Sequence, residues 1–228
     1  MSIKENIELL KQDVKRVCEG CNRDSKDIII VAVTKTVNIQ GMKEAIECGL
    51  TDIGENRVQE MMDKIESFDE SVNWHMIGHL QRNKVKYIID KVNLIHSLDG
   101  VKLADEIQRQ SIKHNKMTDV LIEVNIGDED TKFGIKPDEI TSFARTIAGY
   151  SNIRLRGLMT VAPFETEPEK VRPLMKMMHQ KYIELKLLNL ENTLIDTLSM
   201  GMSNDYRIAL EEGATMIRVG SLIFGERS

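Results

Sequence analysis

Asp27-Ile28-Ile29-Ile30-Val31-Ala32-Val33-Thr34-Lys35 sets six consecutive apolar residues, mostly β-branched, ahead of an amine. An apolar run without polar alternation suits a parallel strand covered on both faces. Burial disfavours the charged form of a lysine, so an amine at the edge of such a strand stands out. A lysine that loses its proton readily attacks aldehydes, which makes Lys35 a candidate Schiff-base residue. A strand-end lysine whose amine simply reaches back to water satisfies the same pattern.

On the N-terminal side of this run, Ser2-Ile3-Lys4-Glu5 has capping-box spacing, and Ile3, Ile7, Leu10, Val14 and Val17 follow as one apolar stripe. The spacing predicts a helix over 2–18, with Gly20 as its stop. On the C-terminal side the chain keeps a beat of strand and helix. Strands are predicted at 28–35, 51–54, 73–77, 93–97, 119–126, 154–160, 194–199 and 215–219. Helical patterns lie between them near 40–48, 57–67, 82–90, 100–115, 137–148, 168–189 and 204–212. Strict alternation implies a parallel sheet with helical crossovers. Eight strands favour a closed (β/α)8 barrel with an extra N-terminal helix over a doubly wound open sheet. No linker rich in Pro, Gly or Ser interrupts the pattern, so residues 1–228 are predicted to form a single domain.

The net charge of −5, with acids and bases interspersed, offers no basic face for nucleic acid. Nor do the few aromatics make a stacking platform for single strands. No apolar run is long enough to cross a bilayer, and the N-terminal apolar residues are periodic rather than continuous, unlike a signal peptide. Cys18, Cys21 and Cys48 make no disulfide framework, which fits a reducing cytoplasm. Cys18 and Cys21 form a CxxC with no second pair, which argues against a zinc site.

In parallel α/β folds the loops after the strands carry function. Here they hold Thr34-Lys35, Glu55-Asn56-Arg57, His75 to Gln81, His96-Ser97, Met159-Thr160, Ser199 to Asp205, and Arg218 to Ser221. Gly201-Met202-Ser203-Asn204 leads into a helical pattern, and Gly220-Ser221 into a short terminal segment. Glycine admits close backbone approach, and free N–H groups beside a serine hydroxyl suit a phosphate. Ser203 also reads as a plain helix cap and Ser221 as a turn residue. The barrel architecture favours the phosphate, because phosphate sites recur after its last two strands. Arg218, inside Met216-Ile217-Arg218-Val219, needs a partner if it is buried. His75 and His79 share a strand face about 13 Å apart, too far to ligate one metal.

Val31 to Lys35, Gly54-Glu55-Asn56-Arg57-Val58-Gln59-Glu60, Trp74-His75-Met76-Ile77-Gly78-His79-Leu80-Gln81, Leu198 to Ser203, and Arg218 to Arg227 together strongly resemble the pyridoxal phosphate homeostasis proteins. The resemblance implies a single barrel like the N-terminal domain of alanine racemase, known as fold type III. It implies pyridoxal 5′-phosphate held as a covalent aldimine on Lys35, with Asn56 lining the ring pocket and Arg218 facing the pyridine nitrogen. Ser203, Gly220 and Ser221, with the backbone of Met202, would form the phosphate cup, and Met200 and His79 would lie near the cofactor. Arg57 departs from the family, where an aromatic residue is frequent, and alters pocket access rather than the Schiff base.

Two functions follow from the resemblance. A carrier would hold the cofactor, serve vitamin B6 and indirectly amino-acid homeostasis, and deliver the cofactor transiently to pyridoxal phosphate enzymes. A racemase of narrow range would need two opposed bases. In alanine racemase the second base involves an additional β domain, for which 228 residues leave no length. An arginine at the ring nitrogen also keeps the ring a poor electron sink. The sequence therefore predicts a monomeric, cytoplasmic binding protein without turnover. A barrel that binds another phosphate compound non-covalently is a third possibility.

Overall fold

The computed structural model describes residues 1–69, 71–129 and 131–225. Glu226 and Arg227, part of the last motif, lie outside the described residues. The apolar run forms β1 (Ile29–Val33), followed by β2 (Asp52–Glu55), β3 (Asn73–Met76), β4 (Leu94–Leu98), β5 (Thr118–Val124), β6 (Ile153–Thr160), β7 (Thr193–Ser199) and β8 (Met216–Val219). Each strand pairs in parallel with the next, and β1 pairs with β8 through Val31↔Arg218 and Ala32↔Val219, closing the barrel. Closure excludes the open doubly wound sheet. β1 ends two residues before the predicted Lys35. Thr34 N still bonds Gly54 O (3.0 Å), but Val37 N turns back to Thr34 O (2.9 Å) and Thr36 sits at φ 64°, so Lys35 lies in a turn.

The crossover helices are α2 (Ile39–Glu47), α3 (Val58–Ile65), α4 (Val85–Ile88), α5 (Val101–Lys113), α6 (Ile140–Ala148), α7 (Arg172–Leu187) and α8 (Tyr206–Glu211), after an N-terminal α1 (Ile3–Gly20). The predicted helix at 82–90 is a 3₁₀ turn (Arg82–Lys84) running into the short α4. The terminal segment that carried no helical prediction forms α9 (Ser221–Phe224). The α1 capping box is complete: Glu5 N donates to Ser2 Oγ (3.2 Å) and Ser2 N to Glu5 Oε2 (2.7 Å). α1 buries Ile7, Leu10, Val14 and Cys18, while Ile3 and Val17 of the predicted stripe are half-buried against the same core. It is tied to the end of the chain by Asn6 Nδ2, which donates to Ile223 O (2.9 Å), and by the Tyr206 hydroxyl, which donates to Asp13.

Strand residues alternate between two apolar layers. The outward set (Ala32, Ile53, Met76, Ile95, Val120, Leu158, Leu198, Ile217 among them) packs under the helices in the main core. The inward set, Val31, Leu94, Leu121, Met159 and Met216, forms a separate plug inside the barrel. Above that plug, toward the carboxyl ends of the strands, the inward positions become polar.

Candidate cofactor site

Lys35 is half-buried, and the backbone on either side of it is pinned by a buried charge cluster. Lys64, on the inner face of α3, donates to Thr34 O (2.8 Å), Glu55 Oε1 (2.8 Å) and Glu60 Oε1 (2.7 Å), which uses all three ammonium protons. Thr34 Oγ1 donates to Glu55 Oε1 (2.6 Å), and Thr36 N donates to Glu60. Burial pushes the Glu55 carboxyl above the usual carboxylate range, against the pull of Lys64 and Thr34. The cluster thus holds residues 34 and 36 so that the turn presents Lys35 at the end of β1. Asn56, half-buried, follows Glu55 at the end of β2. Gly78 lies beneath it so closely that a Cβ there would stand 2.4 Å from Asn56 O.

Arg218 lies on β8, the neighbour of β1, and is buried in the barrel. It donates to Ser199 Oγ (2.5 Å) on β7 and to Thr160 O (2.7 Å) at the end of β6, which supplies the partners its burial requires. Burial lowers it to about 10, so it stays a cation at neutral pH. Beyond Arg218 the residues predicted for the anion cup lie near one another: Gly220 N donates to Ser203 Oγ (3.3 Å), and Ser221, exposed, opens α9. Gly201, at φ 95°, brings this loop against α8, where a Cβ would stand 2.6 Å from Ala209 Cβ. The Met202 amide donates to Asp205 Oδ1 (2.6 Å), so that amide is already engaged.

The remaining predicted residues sit farther out. His79 is on the rim, beside Asp99 (3.4 Å) and stacked on Phe133 with ring centroids 3.8 Å apart. Met200 is fully buried and packs in the outward layer beneath the helices, on the face opposite the barrel interior. His75 meets Asp52 and His96 inside the barrel, whereas His79 meets Asp99 and Phe133. Among the described residues no cluster of three or more His, Cys, Asp or Glu side chains is arranged for a metal.

Sequence reasoning missed three groups. One is the Lys64–Glu55–Glu60 cluster. Another is Glu123, on the inward face of β5, whose Oε2 is buried with no hydrogen-bond partner among the described residues. Burial and the nearby Asp99 push its carboxyl up to about 7, against the opposing charge of Arg218. The third is the interior pair His75 and His96, whose Nδ1 and Nε2 atoms are 2.9 Å apart. Their meeting depends on the β3–β4 register, which no local pattern carries.

Residues 3–228 match the family described as alanine racemase, N-terminal domain. The chain is 42% identical over 228 residues to the pyridoxal phosphate homeostasis protein of Aquifex aeolicus, covering 100% of this chain and 99% of that one. It is 37% identical to the protein of the same name from Haemophilus influenzae, covering 100% of this chain and 97% of that one. Among solved structures, PipY of Synechococcus elongatus with PLP bound superposes with a TM-score of 0.84 at 26% identity, covering 98% of this chain and 100% of that one. With a closed eight-stranded barrel, an amine after its first strand and full-length identity at this level, the chain belongs to the pyridoxal phosphate homeostasis protein family.

Proposed function

We propose that this protein binds pyridoxal 5′-phosphate, with Lys35 Nζ as the point of covalent attachment, and holds it for vitamin B6 homeostasis without turnover of its own. The observation that carries the reading is convergence. An amine (Lys35), a buried guanidinium (Arg218) and a glycine–serine cup (Ser203, Gly220, Ser221) come from the ends of three adjacent strands, β1, β8 and β7. These groups fit the ligand's three handles. When bound, the cofactor supplies an aldehyde that condenses with an amine. Arg218 donates toward the ring nitrogen and, as a permanent cation, keeps that nitrogen unprotonated. The cup takes the phosphate, and Asp205 releases the Met202 amide if that amide joins it. Asn56 lines the ring pocket, while His79 and Phe133 cover its rim. The names of the relatives and the PLP-bound PipY structure support the same reading. In this reading the chain works as one domain and as a monomer in the cytoplasm, passes its cofactor transiently to enzymes, and influences amino-acid pools only through them.

Borohydride reduction of the protein mixed with pyridoxal 5′-phosphate, followed by peptide mass analysis, tests the attachment. A pyridoxyl adduct is expected on Lys35 and is expected to vanish in Lys35→Ala, which stays folded because the residue lies in a turn. An adduct elsewhere, or none, overturns it. The loaded protein is expected to convert no more than stoichiometric L- to D-amino acid; sustained conversion would make it a racemase instead.

A further inference from the structure

A single file of hydrogen bonds crosses the barrel interior. Asp52, the first residue of β2, lies at the end opposite the candidate site, and its Oδ1 is 3.0 Å from His75 Nε2. His75 Nδ1 is 2.9 Å from His96 Nε2, and His96 Nδ1 is 3.2 Å from Ser199 Oγ. Ser199 Oγ in turn accepts from Arg218 (2.5 Å).

Proton counting gives the file a direction. Arg218 can only donate, so Ser199 accepts from it and must send its own proton elsewhere. Among the described residues the acceptor for that proton is His96 Nδ1. His96 is fully buried, and burial above all, with the Arg218 cation beside it, holds it well below the usual imidazole range. It is therefore neutral, with its one proton on Nε2, and donates to His75 Nδ1. His75 then carries its proton on Nε2 and donates to Asp52. Every bond runs head to tail, from a cation at one end of the barrel to a carboxylate at the other.

We propose that Asp52, His75, His96 and Ser199 are positioning residues for Arg218: the cation at one end and the carboxylate at the other select the same pair of imidazole tautomers, and the file thereby turns a Ser199 lone pair toward the guanidinium that meets the cofactor ring. The assignment of Arg218 to the ring rests on the proposed function; the direction of the file does not. A mutually polarised chain of this kind transmits a change at one end to the other, because no member can reverse alone.

Nitrogen-15 NMR of the histidine rings, without added cofactor, tests the direction. His75 and His96 are both expected as neutral Nε2–H tautomers at neutral pH. Asp52→Ala is expected to give mixed tautomers at both rings, whereas Asp196→Asn, at a carboxylate outside the file, leaves them unchanged. Pyridoxal 5′-phosphate titration tests the positioning. Asp52→Ala and Ser199→Ala are expected to weaken binding on the order of 3–10-fold, the worth of one hydrogen bond, and to shift the absorption maximum of the loaded protein; Ser199→Thr, which keeps the hydroxyl, restores both. A doubly protonated or Nδ1–H His75 overturns the direction, and Asp52→Ala with unchanged tautomers overturns the part given to Asp52. Altered tautomers with unchanged affinity and spectrum overturn the positioning. If the unaltered protein fails to bind the cofactor at all, the proposed function falls while the tautomer result still stands.

Discussion

Glu123 sits inside the barrel next to Leu121 on the same strand face, with no hydrogen-bond partner for its Oε2 among the described residues. Its folded-state carboxyl, raised from an ordinary 4.5 to about 7 by burial, holds its proton through a pH window in which the unfolded chain has lost it. The stability this contributes is fully present below 4.5 and disappears as pH rises through about 7. Glu123→Gln, which mimics the protonated form, is therefore expected to match the parent near pH 4.5 and to gain stability with rising pH, by up to about 3 kcal/mol above pH 7. Urea denaturation at several pH values checks this, and a gain independent of pH would contradict it. Lys35 and Arg218 were legible in the sequence because each charge interrupts or closes an apolar strand. Glu123, within Val120-Leu121-Ile122-Glu123-Val124, gives the same kind of signal and was overlooked. No such interruption marks the His75–His96 contact. Met200 shows the converse: next to Ser199 in sequence, it packs in the outward layer, because successive residues of an extended chain face opposite sides.

At the scale of elements, α3 does more than cover the sheet. Its Lys64 joins Thr34, just past β1, and Glu55, the last residue of β2, beside the turn that carries Lys35. Removing one partner of a buried pair leaves a charge uncompensated, so Lys64→Met is expected to cost about 3–5 kcal/mol. Adding Glu55→Gln to that variant is expected to recover much of the loss, since the orphaned carboxylate is gone. Thermal and urea unfolding of the single and double variants measures it, and a double variant no better than the single one would mean that packing, not charge, sets the cost. A lysine on a helix reads as a solvated residue. Its spacing from Val58 and Met61, on the buried face of α3, was the sign that it was not. Most strands were legible even where short, as brief apolar runs between helical patterns, whereas β2, Asp52-Ile53-Gly54-Glu55, has one large apolar side chain and is read only from its place in the beat. The ends of elements were less legible, since Lys35 leaves the sheet through a turn made by Thr34 and Thr36, and the helix expected at 82–90 is mostly a 3₁₀ turn.

At the scale of the whole molecule, the first and last elements hold each other. Just past α1, Arg23 donates to Leu210 O (2.6 Å) and Ala214 O (2.7 Å), which caps the end of α8 and fixes the approach to β8. Arg23→Ala is expected to lower stability by about 1–3 kcal/mol, because two carbonyls lose their donors. Differential scanning calorimetry measures this, and an unchanged melting temperature would show that water replaces the guanidinium at no cost. The barrel seam between β1 and β8 carries a consequence of its own. During synthesis the Lys35 amine leaves the ribosome well before Arg218 and the serine turn that stand beside it in the closed barrel. In the proposed function, a chain that has not yet reached β8 thus has no formed pocket in which to capture an aldehyde, and loading awaits that strand.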